Sequence, residues 1–389
     1  MLHKPGNYFM LGNVALAEGA YAAGCNFVAG YPITPASEIL EHLSKLFLGH
    51  QDKKYIQFED EIASMASLVG ASWAGAKGMT ATSGPGFSLM QENLGLAFMT
   101  ESPCVVVDIQ RSGPSTGQAT KPGQGDFYQT QYGSHGDYMG VVLAPWSVQE
   151  MYDLAVTAFN YAELLRTPVV ILADGEVAHL EENIVLPDPD SVVLAKRKRP
   201  DYLSIPPEEV EPFAWTEDLV PPMPLLGDGA NVLVTGSTHR PSGLRDASEQ
   251  THINLVNRLH DKILSRRRDL WLTDEYFVED AQEGLFIAYG IAARQTMEAV
   301  RYLRKQGKKV GLLRLKTLWP FPDEVIQERC TKHEVSRVFV TEMSRGKLVR
   351  EVERSLYKSN VEEVIPVLKI GGDLHKVKEI VAMFNKEDA

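Results

Sequence analysis

Short apolar runs alternate with longer segments of helical periodicity from Asn13 to Asp174. Phe27-Val28-Ala29, Lys54 to Phe58, Gly78 to Ser83, Cys104 to Gln110, Val141-Val142-Leu143 and Pro168 to Ala173 predict strands. The stretches Asn13 to Ala23, Ser37 to Phe47, Glu61 to Ala74, Ser88 to Met99 and Val148 to Leu165 predict helices that are amphipathic or rich in small residues. Strictly alternating strand and helix is the pattern of a parallel sheet covered on both faces, so an α/β domain is expected over residues 1–184.

The pattern breaks over residues 185–230, where Pro187, Pro189, Pro200, Pro206, Pro207, Pro212, Pro221, Pro222 and Pro224 stand in a polar, acidic background. Proline at that density forbids continuous helix or central strand and predicts an extended connector. Beyond it a strand is expected at Asn231 to Gly236 and a helix at Glu249 to Arg268. Alternation then resumes with strands at Gly284 to Ala288, Lys309 to Leu315 and Val335 to Thr341. Helices are expected at Ile291 to Gln306, Asp323 to Lys332 and Lys347 to Tyr357. Residues 231–389 therefore predict a second, smaller α/β domain.

Composition narrows the class. A chain of 389 residues with 44% hydrophobic and 23% charged composition is long enough for a substantial core. The segment Met1-Leu2-His3-Lys4-Pro5-Gly6 lacks a basic-then-apolar signal pattern. No run of roughly 18 apolar residues occurs, so a cytoplasmic protein without a membrane span is expected. The net charge of −12 argues against a broad nucleic-acid surface. The basic runs Lys196-Arg197-Lys198-Arg199 and Arg266-Arg267-Arg268 are short and read as linker or subunit-contact charges. Three cysteines, Cys25, Cys104 and Cys330, lie far apart with no C-x-x-C pair, too few thiolates for a four-cysteine iron–sulfur cluster. Cys25 and Cys104 flank predicted strands and are expected to be buried and reduced. Gly227-Asp228-Gly229 with Asn254 imitates a GDG…N magnesium and diphosphate motif. It follows Pro-rich coil and precedes an expected strand rather than a helix, so a turn is the better reading and no metal site is expected in this chain.

Candidate chemistry gathers in loops that follow the strands. Tyr31-Pro32-Ile33-Thr34-Pro35 links a strand to a helix, a position where open α/β sheets bind ligands. Its ordinary reading is a Pro-rich turn with Thr34 as N-cap. Downstream stand Glu59-Asp60-Glu61, Ser83-Gly84-Pro85-Gly86 and Arg111-Ser112-Gly113-Pro114-Ser115-Thr116-Gly117. Glu61 opens a helix, where a carboxylate is ordinarily a favourable partner of the helix dipole. Gly84 and Gly86 permit close backbone approach at a helix start. Arg111, in a Gly/Pro/Ser/Thr loop running to Asp126, suits a two-point grip on a carboxylate, the alternative being a structural pair with Asp126. His135 is a loop or interface histidine, or a proton carrier.

The ordered set YPITP, EDEIAS, TATSGPG and QRSGPSTG resembles the α subunit of the 2-oxoacid:ferredoxin oxidoreductases, and most closely the 2-oxoglutarate-type branch. The resemblance covers nearly the whole chain. It implies a doubly wound parallel sheet of the thiamine-diphosphate pyrimidine-binding type and a second α/β domain like the transketolase C-terminal one. It places on Glu61, with Glu59 as fallback, the carboxylate that hydrogen-bonds the pyrimidine ring and promotes the imino tautomer. Pro32, Ile33, Gly84 and Gly86 become cofactor-proximal. Thr34, Arg111 and Thr120 become contacts of the substrate carboxyl, and Lys121 a candidate for a second carboxylate. Glu342-Met343-Ser344-Arg345-Gly346 also resembles a family segment and reads as subunit contact and domain packing. The implied reaction is CoA-acylating oxidative decarboxylation of 2-oxoglutarate to succinyl-CoA with reduction of ferredoxin, or its reverse. The missing motifs imply a β subunit holding Mg²⁺, the diphosphate site and a [4Fe–4S] cluster, an (αβ)2 assembly, and a γ domain on another chain. Alternatives are a pyruvate- or branched-chain-specific member, a ferredoxin-independent transketolase-like component, and a non-catalytic scaffold.

Overall fold

The structure, a computed structural model, describes residues 4–386; Met1, Leu2 and His3 of the N-terminal segment lie outside it. Strand β1 (Gly6–Leu11) leads into α1 (Gly12–Ala22). There follow β2 (Phe27–Gly30), α2 (Ser37–Leu46), β3 (Lys54–Gln57), α3 (Glu61–Trp73), β4 (Gly78–Thr82), α4 (Gly84–Met99) and β5 (Cys104–Gln110). The one-turn α5 (Gln129–Tyr132), β6 (Val141–Leu143), α6 (Val148–Leu165), β7 (Pro168–Asp174), α7 (Gly175–His179) and β8 (Glu181–Leu186) complete the first half. The second half runs α8 (Glu249–Leu264), α9 (Arg267–Leu270), β9 (Thr273–Tyr276), β10 (Gly284–Tyr289), α10 (Gly290–Lys305), β11 (Val310–Leu315) and β12 (Thr317–Trp319). It ends with α11 (Asp323–Lys332), β13 (Arg337–Glu342), α12 (Lys347–Ser355), β14 (Glu363–Leu368) and α13 (Val377–Lys386).

The main sheet has seven strands in the order β3-β2-β4-β5-β7-β6-β12, parallel throughout except for β12, which runs antiparallel to β6. Every residue of β5 (CVVVDIQ) and β7 (PVVILAD) is buried, as a parallel strand covered on both faces requires. Alternate β5 side chains enter different cores. Val105, Val107 and Ile109 pack with Leu16, Leu43 and Phe159 of α1, α2 and α6, and Cys104 and Val106 with Met65, Phe87 and Met90 of α3 and α4. From β2 the chain steps outward to β3 and then back across β2 to β4, so the winding reverses at β2. That reversal is the switch point at which loops diverge and leave room for a ligand.

The second sheet has five strands, β14-β13-β10-β11-β9, with only β9 antiparallel to its neighbour. The two halves share a core: Leu285, Ile287, Leu313, Trp319 and Val340 pack in one cluster with Phe87, Phe127 and Val142. Strand β12 returns to the first sheet, tying the halves further.

Several segments depart from expectation. Asn231 to Gly236 is coil, not strand. Its alternation is real, since Val232 and Val234 pack on the core while Leu233 is 44% exposed, but no partner strand pairs with it. The expected helix at Glu249 to Arg268 ends at Leu264, and α4 starts at Gly84 rather than Ser88. The antiparallel ribbon of β1 and β8 and the strands β9, β12 and β14 were not anticipated. The connector is pinned rather than loose. Arg197 donates to both Glu163 oxygens at 2.8 Å, and the Arg166 Nη1 donates to the Pro212 carbonyl at 2.7 Å.

Candidate active site

The loops singled out in the sequence converge at the carboxyl ends of the parallel strands. Asp60 caps α3, accepting the Ala63 N–H at 2.8 Å, and this fixes Glu61 on the first turn. Glu61 is 4% exposed, whereas Glu59 is open to solvent. Burial, reinforced by the neighbouring Asp60 charge, pushes the Glu61 carboxyl above its usual range. No side-chain donor reaches it among the described residues. Gly86 backs this carboxyl: a Cβ there would lie 2.3 Å from Glu61 Oε1 and 2.2 Å from Thr82 Oγ1. Only glycine leaves that cradle open, which gives a physical reason for the second glycine of SGPG. A Cβ on Gly84 would stand 2.9 Å from Asp126 Oδ2.

Thr34 does not cap α2, whose N-cap position is Ala36 without a side-chain bond. Its carbonyl accepts the Arg111 Nη1 N–H at 2.8 Å, so the loops after β2 and β5 are joined through the arginine. Arg111 is 7% exposed, and its Nε has no partner among the described residues. The structural pair considered for Arg111 with Asp126 is therefore not how the guanidinium is held. Pro32 and Thr34 are exposed and Ile33 half-buried at the end of β2. The Arg111 loop closes on itself, with the Ser112 N–H donating to the Lys121 carbonyl and the Gln118 N–H to the Ser112 carbonyl, both at 2.8 Å. Gly117, at φ +52°, is required there because a Cβ would fall 1.8 Å from the Ser112 carbonyl oxygen. Thr120 is exposed at this loop, and Lys121 Nζ lies 3.7 Å from Asp373 Oδ1. His135 is exposed and takes no part in the cavity lining.

Beneath Arg111 lies a buried acid pair. Asp108 on β5 is fully buried, and neither of its oxygens meets a hydrogen-bond partner among the described residues, with the Asp126 carboxyl close by. Burial first, and the neighbouring Asp126 charge second, push the Asp108 carboxyl well above the usual carboxylate range.

The Gly84 and Arg111 loops and the second half line a cavity of about 640 Å³; Thr34, Glu61, Gly86, Thr120 and Lys121 are not among its lining residues. The first half contributes Gly84, Pro85, Arg111 and Asp126 to its lining, and the second half Met343, Ser344, Arg345 and Lys347. Gln124 stitches the halves together. Its N–H donates to the Met343 carbonyl at 3.0 Å, its Oε1 accepts the Met343 N–H at 2.9 Å, and its Nε2 donates to the Tyr289 carbonyl at 3.1 Å. Glu342 to Gly346, expected only to pack, thus also supplies cavity-lining side chains. Cys25, Cys104 and Cys330 are buried thiols pushed up to about 12 by burial. Gly227-Asp228-Gly229 forms a turn in which Asp228 bonds Tyr202 at 2.9 Å and pairs with Arg199. Among the described residues no cluster of His, Cys, Asp or Glu is arranged to hold a metal ion.

A parallel sheet whose winding reverses, with loops diverging at its carboxyl ends, is an architecture that binds ligands at the switch point. The chain belongs to the pyruvate flavodoxin/ferredoxin oxidoreductase family: residues 18–258 match its thiamine-diphosphate-binding part, and residues 283–380 match the pyruvate:ferredoxin oxidoreductase core domain II. Within it, the chain is 49% identical over 374 residues to the 2-oxoglutarate synthase subunit KorA of Methanocaldococcus jannaschii, covering 96% of this chain and 97% of that one. It is 37% identical over 379 residues to the ketoisovalerate oxidoreductase subunit VorB of Methanothermobacter marburgensis, covering 95% of each. Among solved structures, 2-oxoglutarate:ferredoxin oxidoreductase from Magnetococcus marinus with 2-oxoglutarate, coenzyme A and succinyl-CoA bound superposes with a TM-score of 0.90 at 33% identity. That alignment covers 98% of this chain and 65% of the other. A split-gene transketolase matches at a TM-score of 0.55 and 12% identity, which speaks for the fold alone.

Proposed function

We propose that this chain is the α subunit of a thiamine-diphosphate-dependent 2-oxoglutarate:ferredoxin oxidoreductase, converting 2-oxoglutarate, coenzyme A and oxidised ferredoxin to succinyl-CoA, carbon dioxide and reduced ferredoxin. Relatives named 2-oxoglutarate synthase, at 46–49% identity over nearly the whole chain, support the substrate. The observation that carries the chemistry is the buried Glu61 carboxyl, free of side-chain donors, beside the Gly86 cradle. When bound, the cofactor supplies the nucleophilic carbon and the electron sink for loss of carbon dioxide. Glu61 would hydrogen-bond a nitrogen of its pyrimidine ring, and Pro32, Ile33, Gly84 and Gly86 would help to hold that ring. Arg111, with the Thr34 and Thr120 hydroxyls, orients the substrate carboxylate.

The electrons leave through another chain, because the three thiols here are buried apart from one another. We assign the [4Fe–4S] cluster, the Mg²⁺ and the diphosphate site to a β subunit, in an (αβ)2 assembly with any γ domain on a separate chain. No helix among the described residues is long and apolar enough to cross a membrane, in keeping with a cytoplasmic complex.

The test is dye or ferredoxin reduction by this chain coexpressed with its β subunit, offered 2-oxoglutarate, pyruvate or 2-oxoisovalerate with coenzyme A and thiamine diphosphate. Preferential turnover of 2-oxoglutarate is expected. Preference for 2-oxoisovalerate would move the chain to the branch of its VorB relatives, and a cluster-bearing complex inert toward every acid would refute the enzymatic reading.

A further inference from the structure

We propose that Arg345 is a specificity-determining residue whose guanidinium receives the second carboxylate of a dicarboxylic 2-oxoacid while the first lies on Arg111. The inference rests on the reading of the cavity as a 2-oxoacid site and adds to it the wall that selects the diacid.

Arg345 lines the same cavity as Arg111 but comes from the second half of the chain, on the turn between β13 and α12. It is exposed and makes no hydrogen bond or ion pair among the described residues. The other cations in or near the cavity each have a protein contact. Arg111 donates to the Thr34 carbonyl at 2.8 Å, Lys347 Nζ donates to the Gly125 carbonyl, and Lys121 faces Asp373 at 3.7 Å. Arg345 is thus the cation of the cavity lining with no protein partner among the described residues.

Its backbone is held firmly. Glu342, 1% exposed, accepts the N–H groups of Lys347 at 3.0 Å, Leu348 at 3.2 Å and Val349 at 3.0 Å, and also the Ser344 hydroxyl. Gln124 clamps Met343 to the Arg111 loop from both sides. The turn that carries Arg345 is therefore fixed relative to Arg111, and the freedom left is that of one side chain. An arginine in such a place offers a planar fork to a carboxylate. In 2-oxoglutarate two methylenes separate the carbonyl from the second carboxylate, so that group must meet a wall other than the one holding the first. A monocarboxylic acid would leave Arg345 without its partner, and the difference is selectivity.

The test uses the complex with its β subunit, and Arg345→Ala, Arg345→Lys and Lys121→Ala variants. The kcat/KM values for 2-oxoglutarate and for 2-oxobutyrate are measured, together with the KM for coenzyme A. For Arg345→Ala the ratio of 2-oxoglutarate to 2-oxobutyrate should fall roughly 10- to 100-fold, chiefly through the KM for 2-oxoglutarate. Arg345→Lys should recover part of that loss, and Lys121→Ala should shift the ratio less than about threefold. A ratio held within about threefold in Arg345→Ala overturns the inference, as does a loss that falls on Lys121→Ala instead. A higher KM for coenzyme A with both acids would assign Arg345 to a phosphate and equally overturn it. In each of those cases the wild-type preference for 2-oxoglutarate stands. A wild-type complex that prefers 2-oxobutyrate, or oxidises neither acid, removes the functional reading itself.

Discussion

Strands β5 and β7 carry buried charges at both ends, and the two ends are organised in opposite ways. At the amino ends, Glu101 precedes β5 and Arg166 precedes β7, and α8 adds Arg258 and Lys262. The Glu101 oxygens accept from Arg258 at 2.6 and 2.9 Å and from Lys262 at 2.8 Å. Arg166 uses its Nη1 on the Pro212 carbonyl and its Nε on the Glu101 carbonyl at 3.2 Å. At the carboxyl ends, both Asp108 oxygens, one Asp126 oxygen, one Asp174 oxygen and the Arg111 Nε lack partners. Taking a charge out of water costs several kcal/mol, and the ends differ in how the carboxylates are compensated: Arg166 Nη2 and Arg258 Nε lack partners at the amino end, but both Glu101 oxygens are ion-paired, whereas carboxyl oxygens go unpaired at the other end. The amino end fastens the connector and α8 to the sheet, and the carboxyl end holds carboxyl oxygens that no protein donor among the described residues reaches.

Substitutions at the two ends should give opposite signatures. The largest effect is expected at Glu61: Glu61→Gln should lower kcat of the assembled complex roughly 10²- to 10⁴-fold while the thermal midpoint holds or rises. A fall in stability matching the loss of activity would erase the contrast. Glu101→Ala leaves buried cations without their anion and should cost about 3–5 kcal/mol of unfolding free energy, measured by urea titration, with turnover per folded complex retained in the cold. Arg111→Ala should reduce kcat/KM for 2-oxoglutarate about 10²-fold with assembly intact by size-exclusion chromatography, and unchanged kinetics would remove its role as the carboxylate grip.

The smallest effect concerns Asp174, which accepts the Ile291 N–H at 2.5 Å across the two halves and whose carboxyl burial pushes up to about 7. The folded chain binds this proton more tightly than an unfolded aspartate of pKa ~3.9, so the contribution is fully present below about pH 4. It is lost as pH rises through the folded value of about 7. Urea midpoints should therefore decline less from acid to neutral pH in Asp174→Asn than in the wild type, and parallel profiles would show that this carboxyl does not report on the junction.

Local pattern carried the fold as far as local pattern reaches. The runs Cys104 to Gln110 and Pro168 to Ala173 are apolar because both faces are covered, so strand and parallel class were legible together. Glu61, Gly86 and Arg111 could be picked out as candidates because each stands soon after a predicted strand, Glu61 and Gly86 on the first turn of a helix and Arg111 in a loop. Glu101, Arg258 and Lys262 were not, because a charge that is satisfied by a residue far along the chain leaves no periodic trace. The Gln124 clamp on Met343 is of the same kind, and with it the route by which Ser344 and Arg345 reach the cavity. Asn231 to Gly236 failed in the other direction: one row of side chains packing on the core produced a strand-like alternation without a partner strand.

The most direct test is an experimental structure of the complex of this chain with its β subunit, thiamine diphosphate and 2-oxoglutarate. The account predicts the Glu61 carboxyl at about 3 Å from a pyrimidine ring nitrogen and the substrate carboxylate on Arg111. A cofactor ring held away from Glu61, with the carboxyl ends of β4 and β5 facing only solvent or protein, would contradict it.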